Sequence, residues 1–174
     1  VNTIDPNFQF PTQLTALLLQ VHDESVDVAL LTPLMRLQSL NIEIRWNRTP
    51  LNLSRLTTLT ELDTDRSPVS SLPTSLVRYT VMLGDDTDLS PLTSLTFLHV
   101  WLPRGCRVTF PTGLKELRVS DGRLDNTNVG KIALESFKSK RRDITRDDLE
   151  RLPKTLKKIE GRFESASLEK LLPK

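Results

Sequence analysis

The chain has 174 residues, enough for one domain with a substantial core. Its formal net charge of +2 is too small to indicate a nucleic-acid or membrane partner, and no apolar run approaches the about 18 residues that a membrane span needs. Apolar residues make up 37% and aromatic residues 5%, so the core must be built from aliphatic side chains, above all leucine.

The chain has a single cysteine, Cys106, which excludes an internal disulfide framework and a cysteine-rich metal site. The N-terminus has no basic region followed by an apolar stretch, so no signal peptide is predicted. These observations favour a reducing compartment, and we predict a cytoplasmic protein; a secreted effector or a fragment is the alternative. The chain begins with Val1 and not with Met, and we expect it to be part of a longer protein.

A short phrase of the form LxxLxL recurs along the chain at a nearly constant spacing. The copies begin at Leu14, Leu37, Leu59, Leu76, Leu95, Leu114, Leu134 and Leu156. Successive copies are 23, 22, 17, 19, 19, 20 and 22 residues apart, which is about 20 residues per repeat. Residues one, four and six of each phrase should face a shared core, and residues two, three and five should face outward. The copy at Leu134 fits least well, because Ser139 stands where an aliphatic residue is expected.

Eight phrases in register resemble the leucine-rich repeat, whose repeats run about 20–29 residues and contribute one short strand each. The resemblance covers residues 10–161. It implies an α/β solenoid of about eight short repeats: a horseshoe with a parallel sheet on the concave face, an irregular, 3₁₀ or extended convex side, and short C-terminal helices. We therefore predict a single domain over 1–174, with repeats at about 10–164 and a C-terminal cap at about 165–174.

The segments that precede the phrases come in two kinds. The first kind occupies 31–37, 53–59 and 89–95. It resembles the return segment of internalin-like and phosphatase-regulator-like repeats, which implies a 3₁₀ or short helical turn. The second kind occupies 10–14, 72–76, 110–114 and 152–156. It resembles the shorter repeats of bacterial effectors, and its proline, which lacks an N–H and fixes φ, favours an extended return. The Leu or Phe that opens each segment should point into the core.

The sequence departs from the family at one position. None of the phrases has Asn eight residues after its first leucine, where the family uses the amide to satisfy turn backbone groups, so other partners must do this. Near the C-terminus, 143–153 predicts a short helix with Thr145 as N-cap and Asp148 completing a capping-box-like pair. The segment 165–174 is expected to form a terminal helix that starts from Ser165 or Ser167.

No group of residues indicates catalytic chemistry. His22 and His99 fall in different repeats, and with one cysteine they predict no metal site. The sequence has no nucleophile elbow and no phosphate-binding glycine loop. We therefore expect no enzymatic activity, no metal and no cofactor. The basic run at 138–142 is either a phosphate-binding or nuclear-import patch or, more simply, a solvated edge of the Leu134 repeat.

Repeat modules of this type bind partners through the outward strand positions. Along the chain these positions contain an acidic zone, a row of aromatic residues and a basic zone. The acidic zone is Glu43, Glu61, Asp63 and Asp65, the aromatic row is Phe97, His99 and Trp101, and the basic zone is Lys115, Arg118, Lys138, Lys140, Lys157, Lys158 and Arg162. As partner-binding residues of the concave face we predict Glu61, Asp63, Arg78, Thr80, Phe97, His99, Trp101, Lys115, Arg118 and Lys138. Exposed aromatic residues flanked by charge are typical interface anchors, unless a loop covers them or Trp101 turns into the core. The resulting hypothesis is a non-catalytic scaffold that binds a protein or peptide.

Two other functions stay open. The first is that the chain is the recognition domain of a larger enzyme or effector, such as a ligase or a phosphatase regulator. The second is that the C-terminal basic zone binds an anionic ligand or nucleic acid. Glu135, Glu160 and Glu164 interrupt that zone and no aromatic residue lies within it, which argues against nucleic acid.

Overall fold

A computed structural model describes residues 9–21, 28–44, 50–64, 69–84, 86–103 and 105–165. They form a repeat-based parallel β-solenoid with little helix, in two compact units, Val1–Met82 and Leu83–Lys174. No helix in these ranges is both long enough and apolar enough to cross a bilayer. His22 and all but the first residue of the predicted C-terminal helix lie outside the described residues.

Within its described residues, the N-terminal unit has six short strands and one 3₁₀ turn, Val28–Leu31. The strands are β1 (Ala16–Val21), β2 (Ser39–Ile44), β3 (Leu51–Asn52), β4 (Glu61–Asp63), β5 (Val69–Ser71) and β6 (Arg78–Met82). The main ladder runs β1-β2-β4-β6 with every pair parallel, and β3 pairs separately with β5. The four main strands are therefore joined by three coils of the solenoid.

The C-terminal unit repeats this plan, with its own 3₁₀ turn at Val129–Lys131, and its described residues also include one α-helix. Its elements are β7 (Thr87–Asp88), β8 (Phe97–Trp101), β9 (Val108–Thr109), β10 (Glu116–Asp121), β11 (Ser136–Ser139), α1 (Arg146–Arg151) and β12 (Lys158–Glu160). The main ladder is β8-β10-β11-β12, again parallel throughout, and β7 pairs with β9. Three coils join the four main strands here as well.

Equivalent positions of successive phrases are direct neighbours in both ladders. The third residue of one phrase pairs with the third residue of the next, as Ser39 does with Glu61. In the C-terminal unit Glu116 pairs in the same way with Phe97 and Ser136. The predicted alignment of the phrases is thus confirmed, including the weakest copy, which supplies β11.

The predicted inner positions build the core. The first leucines at 37, 59, 76, 95, 114 and 134 have no accessible surface. In the terminal phrase Leu14, Leu17 and Leu19 are only half-buried, because β1 is the end strand of its ladder. At two buried sixth positions of the phrases a Thr or Ser replaces the aliphatic residue, and each hydroxyl donates to a backbone carbonyl: Thr64 to Thr80 at 3.4 Å and Ser139 to Arg142 at 2.7 Å. These bonds explain how Ser139 replaces an aliphatic residue without leaving a buried hydroxyl unpaired.

Hydroxyl side chains directly before the first leucine connect successive coils, a feature that the sequence analysis missed. Each Oγ donates to the first-leucine carbonyl of the preceding phrase: Thr58 to Leu37 at 2.9 Å, Ser75 to Leu59 at 2.7 Å, and Thr155 to Leu134 at 3.1 Å. Gly113 takes this position before Leu114, where a Cβ would lie only 3.0 Å from the Thr93 carbonyl oxygen. These hydroxyls supply hydrogen-bond donors to first-leucine carbonyls that lie just before the strands of the main ladder.

The two kinds of return segment differ in their turns. Segments of the first kind make two consecutive turns, as when Leu34 N donates to Leu31 O and Leu37 N to Leu34 O, both at 3.0 Å. This confirms the predicted helix-like turn. Segments of the second kind make one turn that starts at proline, as from Leu114 N to Pro111 O at 3.2 Å.

The extended return predicted for the second kind is only partly right. Extended residues do precede the proline segments at β5 and β9, but β3 and β7 precede segments of the first kind. Extended structure in the return is therefore not specific to proline. The residue that opens the segment points into the core as expected in Leu31, Leu53, Leu89, Phe110 and Leu152.

The predicted helix is present as α1, and its capping box is complete. Thr145 Oγ1 accepts from Asp148 N at 3.3 Å, and Asp148 Oδ2 accepts from Thr145 N at 3.0 Å. The same buried carboxylate binds both terminal nitrogens of Arg142, at 2.5 and 2.8 Å. Burial alone would raise the pKa of Asp148, but hydrogen bonds from Arg142 and Thr145 outweigh burial and hold this pKa below its ordinary value. Arg142, in the basic run, thus has a structural role.

Two asparagines outside the eighth phrase position bond backbone groups of the return segments. Asn128 donates from Nδ2 to Phe110 O at 3.0 Å and accepts from Phe110 N at 2.7 Å. Asn126 donates to Gly105 O at 3.1 Å. Glycine itself stands at the family's asparagine position in the sixth phrase, where Gly122 has φ +96°. A Cβ there would lie 1.9 Å from the Leu102 carbonyl oxygen.

We expect Gly122→Ala to lower the free energy of unfolding by about 2 kcal/mol or more, since alanine tolerates neither the positive φ nor the contact with Leu102. The matched control is Gly84→Ala, where a Cβ would meet nothing within 4 Å, and which should change stability by less than about 0.5 kcal/mol. Urea unfolding followed by circular dichroism measures both. Equal effects of the two substitutions would contradict this account of Gly122.

Candidate interaction surface

Strand alternation separates an inner face of each main ladder from an outward face. In β8, Leu98 and Val100 have no accessible surface, so Phe97, His99 and Trp101 lie on the opposite side. In β10, Leu117 and Val119 are buried in the same way. We call the side away from these buried residues the outward face of the C-terminal unit.

The four predicted site residues of the N-terminal unit lie together on β4 and β6. Glu61 is the register neighbour of Arg78, and Asp63 is the neighbour of Thr80. The Arg78 Nε and Glu61 Oε1 atoms are 3.7 Å apart, with both side chains about half exposed. An exposed pair of this kind contributes little stability, and it partly neutralises the predicted acidic zone.

The predicted aromatic row is present on β8, and its members contact one another and β10. The rings of His99 and Trp101 have their centroids 4.4 Å apart and are tilted by 38°. The Arg118 guanidinium lies over the Phe97 ring, 4.8 Å from its centroid, in cation–π contact. Glu116 holds that guanidinium, with Oε1 2.7 Å from Nη2 and 2.8 Å from Nε of Arg118. We call Phe97, His99, Trp101 and Arg118 the aromatic cluster.

Exposure differs among the three rings. Phe97 is 7% exposed and His99 9% exposed, whereas Trp101 is half-buried. The row is therefore a partly desolvated cluster, of which Trp101 offers the most surface among the rings. Trp101 follows the inward Val100 and contacts the His99 ring at a tilt, so its ring lies on the outward side.

Ser120 also supports this cluster, through a contact with His99 that the sequence did not predict. Val119 pairs with Val100 and Asp121 with Trp101, so Ser120 is the extra residue of a β-bulge in β10. Its Oγ lies 2.7 Å from Nε2 of His99, and Ser120 is buried. Burial, together with the charges of Lys140 and Arg118, lowers the pKa of His99 to about 4. His99 is therefore neutral at pH 7.

The basic zone lies on β10, β11 and β12 and the residues beside them, and carboxylates interrupt it. Lys138 Nζ lies 2.6 Å from Glu160 Oε2, and Lys158 contacts the other oxygen of Glu160. Hydrogen bonds from these two lysines lower the pKa of Glu160 to about 2. Lys157 binds Glu135 at 2.9 Å. The predicted residues Lys138 and Arg118 are register neighbours on β11 and β10, and Lys115 lies just before β10.

The described residues contain no candidate metal site, and the cleft near α1 and β12 lies apart from the ten predicted site residues. Among the residues that the structure describes, no group of three or more His, Cys, Asp and Glu side chains is arranged to hold a metal. A cleft of about 500 Å³ lies near α1 and β12, with Leu149, Leu152, Pro153 and Ile159 in its lining. It contains none of the ten predicted site residues.

The fold and this surface define the class of the protein as a repeat-based parallel β-solenoid with a mixed aromatic and basic outward face. Comparison with models of known protein families and with curated protein sequences gives no match for the chain. Its similarity to any one repeat family therefore rests on the phrases and their register.

The state of His99 leads to a pH prediction. The pKa of His99 is lowered from 6.5 to about 4 in the folded chain, so the unfolded chain binds the proton more readily. The free energy of unfolding should fall as pH drops from about 6.5 to about 4, by on the order of 2–3 kcal/mol from this group.

Urea unfolding between pH 7.5 and 4 tests this prediction. His99→Gln cannot titrate but keeps a hydrogen-bonding group facing Ser120, so it should lose this part of the pH dependence. His22→Gln, which changes the other histidine, is the control. A His99→Gln variant that retains the wild-type slope would show that His99 is not the titrating group.

Proposed function

We propose that the chain is a divergent leucine-rich repeat protein that works as a non-catalytic module and binds a protein or peptide partner on its outward, concave sheet face. The phrase period, the common register of equivalent residues and the parallel ladders support this assignment. The resemblance further implies a horseshoe of about eight repeats. A single domain over 1–174 and a cytoplasmic location stay predictions within the same proposal.

The aromatic cluster is the observation that carries the binding function. The Trp101 ring contacts His99, whose Nε2 bonds the buried Ser120. Arg118 lies over Phe97 and is held by Glu116. Anchors ordered in this way before the partner arrives lose little conformational entropy on binding, and tryptophan, tyrosine and arginine dominate the energetics of most interfaces.

A recognition domain of a larger enzyme or effector is the second candidate function. It would use the same aromatic cluster to select a substrate or regulator, while catalysis would take place outside these residues. Both functions require Trp101 to contact the bound partner, and they differ only in whether the rest of the protein carries out catalysis.

Replacement of Trp101 by alanine should weaken partner binding by more than about 1–2 kcal/mol, which is roughly a 5- to 30-fold loss of affinity. The reason is the loss of the most exposed ring of the cluster. Pull-down from a cell lysate with the full chain, followed by affinity measurement on the captured protein, provides the readout. A thermal melt must show that the variant is folded.

Met35→Ala is the matched control, because Met35 is a large apolar residue, 52% exposed, that lies in a return segment and not on a main strand. It should capture the same proteins as the wild type. If folded Trp101→Ala also captures them with unchanged affinity, the aromatic cluster is not the binding site.

A further inference from the structure

The outward face of the C-terminal unit carries more positive than negative charge. Its seven cationic side chains are Lys115, Arg118, Lys138, Lys140, Lys157, Lys158 and Arg162, and its four carboxylates are Glu116, Asp121, Glu135 and Glu160. The three glutamates are already engaged: Glu116 by Arg118, Glu135 by Lys157, and Glu160 by Lys138 and Lys158. Asp121 accepts a hydrogen bond from Gly122 N, and Arg162 is paired with Asp143. A partner approaching this face therefore meets a surplus of cations.

The surplus is concentrated beside the aromatic cluster. Arg118 and Lys138 are register neighbours, on strands about 4.8 Å apart. Lys140 follows two residues after Lys138, is exposed, and forms no ion pair with any described residue. Lys115 is likewise exposed and has no salt bridge within the described ranges. After burial, which has the larger effect on the pKa of His99, the charges of Lys140 and Arg118 also oppose protonation of that ring.

We propose that the partner bound on this surface is an acidic peptide segment, in which one apolar or aromatic side chain rests on Trp101 and nearby carboxylates bind Lys140, Lys115 and their neighbours. This proposal rests on the proposed function, because it names the partner class for the same aromatic cluster. Charge complementarity to the surplus of cations is what identifies the occupant.

The spacing of the strands sets the length of the recognised segment. From β8, which carries Trp101, to β11, which precedes Lys140, there are two strand steps, or about 10 Å. An extended peptide covers this distance in about three residues. The recognised sequence should therefore contain an apolar anchor with Asp or Glu about three residues from it to bind Lys140. Lys115 lies beside Thr96, five residues before Trp101 along the strand and about 17 Å away, so the carboxylate that binds Lys115 should lie about five residues from the anchor.

The observations favour a peptide over nucleic acid. Phe97 and His99 are nearly buried, so Trp101 is left as the main ring available for stacking, whereas single-stranded nucleic acid binds along successive exposed aromatics. Glu135 and Glu160 stand among the lysines and would repel a continuous phosphate backbone. Separate carboxylates on a peptide can alternate with them.

The test is selection from a random peptide display library on the immobilised full chain, with the net charge of the enriched sequences as the readout. We expect enrichment of Asp and Glu over Lys and Arg near an apolar residue. For a selected peptide, Lys140→Glu and Lys115→Glu should each reduce affinity about tenfold at low ionic strength, and added salt should weaken wild-type binding.

Lys131→Glu is the matched control, since Lys131 is exposed in the 3₁₀ turn away from the main strands. It makes the same change of net charge and should leave affinity within about twofold. Thermal melts establish that all three variants are folded. Equal losses in Lys131→Glu and Lys140→Glu would mean that only overall charge matters, and this would overturn the proposed contacts.

The remaining outcomes separate this inference from the proposed function. Peptides that require Trp101 but show no acidic bias would overturn the acidic partner and leave the binding surface standing. Acidic peptides that bind Trp101→Ala normally would support the charge recognition and remove the aromatic anchor. Tighter, Lys140-dependent binding of a single-stranded oligonucleotide would replace the peptide with nucleic acid. Failure to enrich any peptide would overturn both.

Discussion

The constraint on which the structure depends is that a coil of about 20 residues cannot bury its apolar side alone. First leucines with a coil on each side, such as Leu114 and Leu134, are fully buried, whereas Leu14 on the end coil stays half-exposed. Parallel pairing of equivalent residues is what stacks the coils at constant register. Hydroxyls such as Thr58 and Ser75 reinforce that register by bonding the carbonyl of the preceding phrase.

The same register decides what the outward face can present. Equivalent positions of adjacent phrases become neighbours about 4.8 Å apart. A partner that contacts a charge or ring at one phrase position therefore also meets the side chains at the same position of the adjacent phrases. Arg118 thus falls between His99 and Lys138, and Lys138 falls beside Glu160. His99, Arg118, Lys138 and Glu160 therefore form one row across four strands, with an aromatic ring, two cations and a carboxylate in sequence. Successive members of this row are about 20 residues apart along the chain.

The strands and the core could be predicted from the sequence because the leucine spacing determines both. The helix α1 could be predicted because Thr145 and Asp148 form a local capping pair. The burial of Phe97 and His99 could not be predicted, because it depends on contacts with side chains of the next repeat, such as Arg118 over Phe97 and Ser120 at His99. The partners of Arg142, whose bond to Asp148 spans the start of a helix, could not be predicted either. An isolated run of basic residues does not reveal which of its members is held inside.

The bulge in β10 shows how an irregularity in the scaffold shapes the candidate site. One extra residue between Val119 and Asp121 sends Ser120 toward His99, and His99 in turn supports Trp101. Directly after the bulge, Gly122 takes a positive φ and lets Leu102 approach the backbone. The departure from the regular repeat lies beside the ring best placed to meet a partner. An ideal repeat at this position would keep the leucines and lose the support under Trp101.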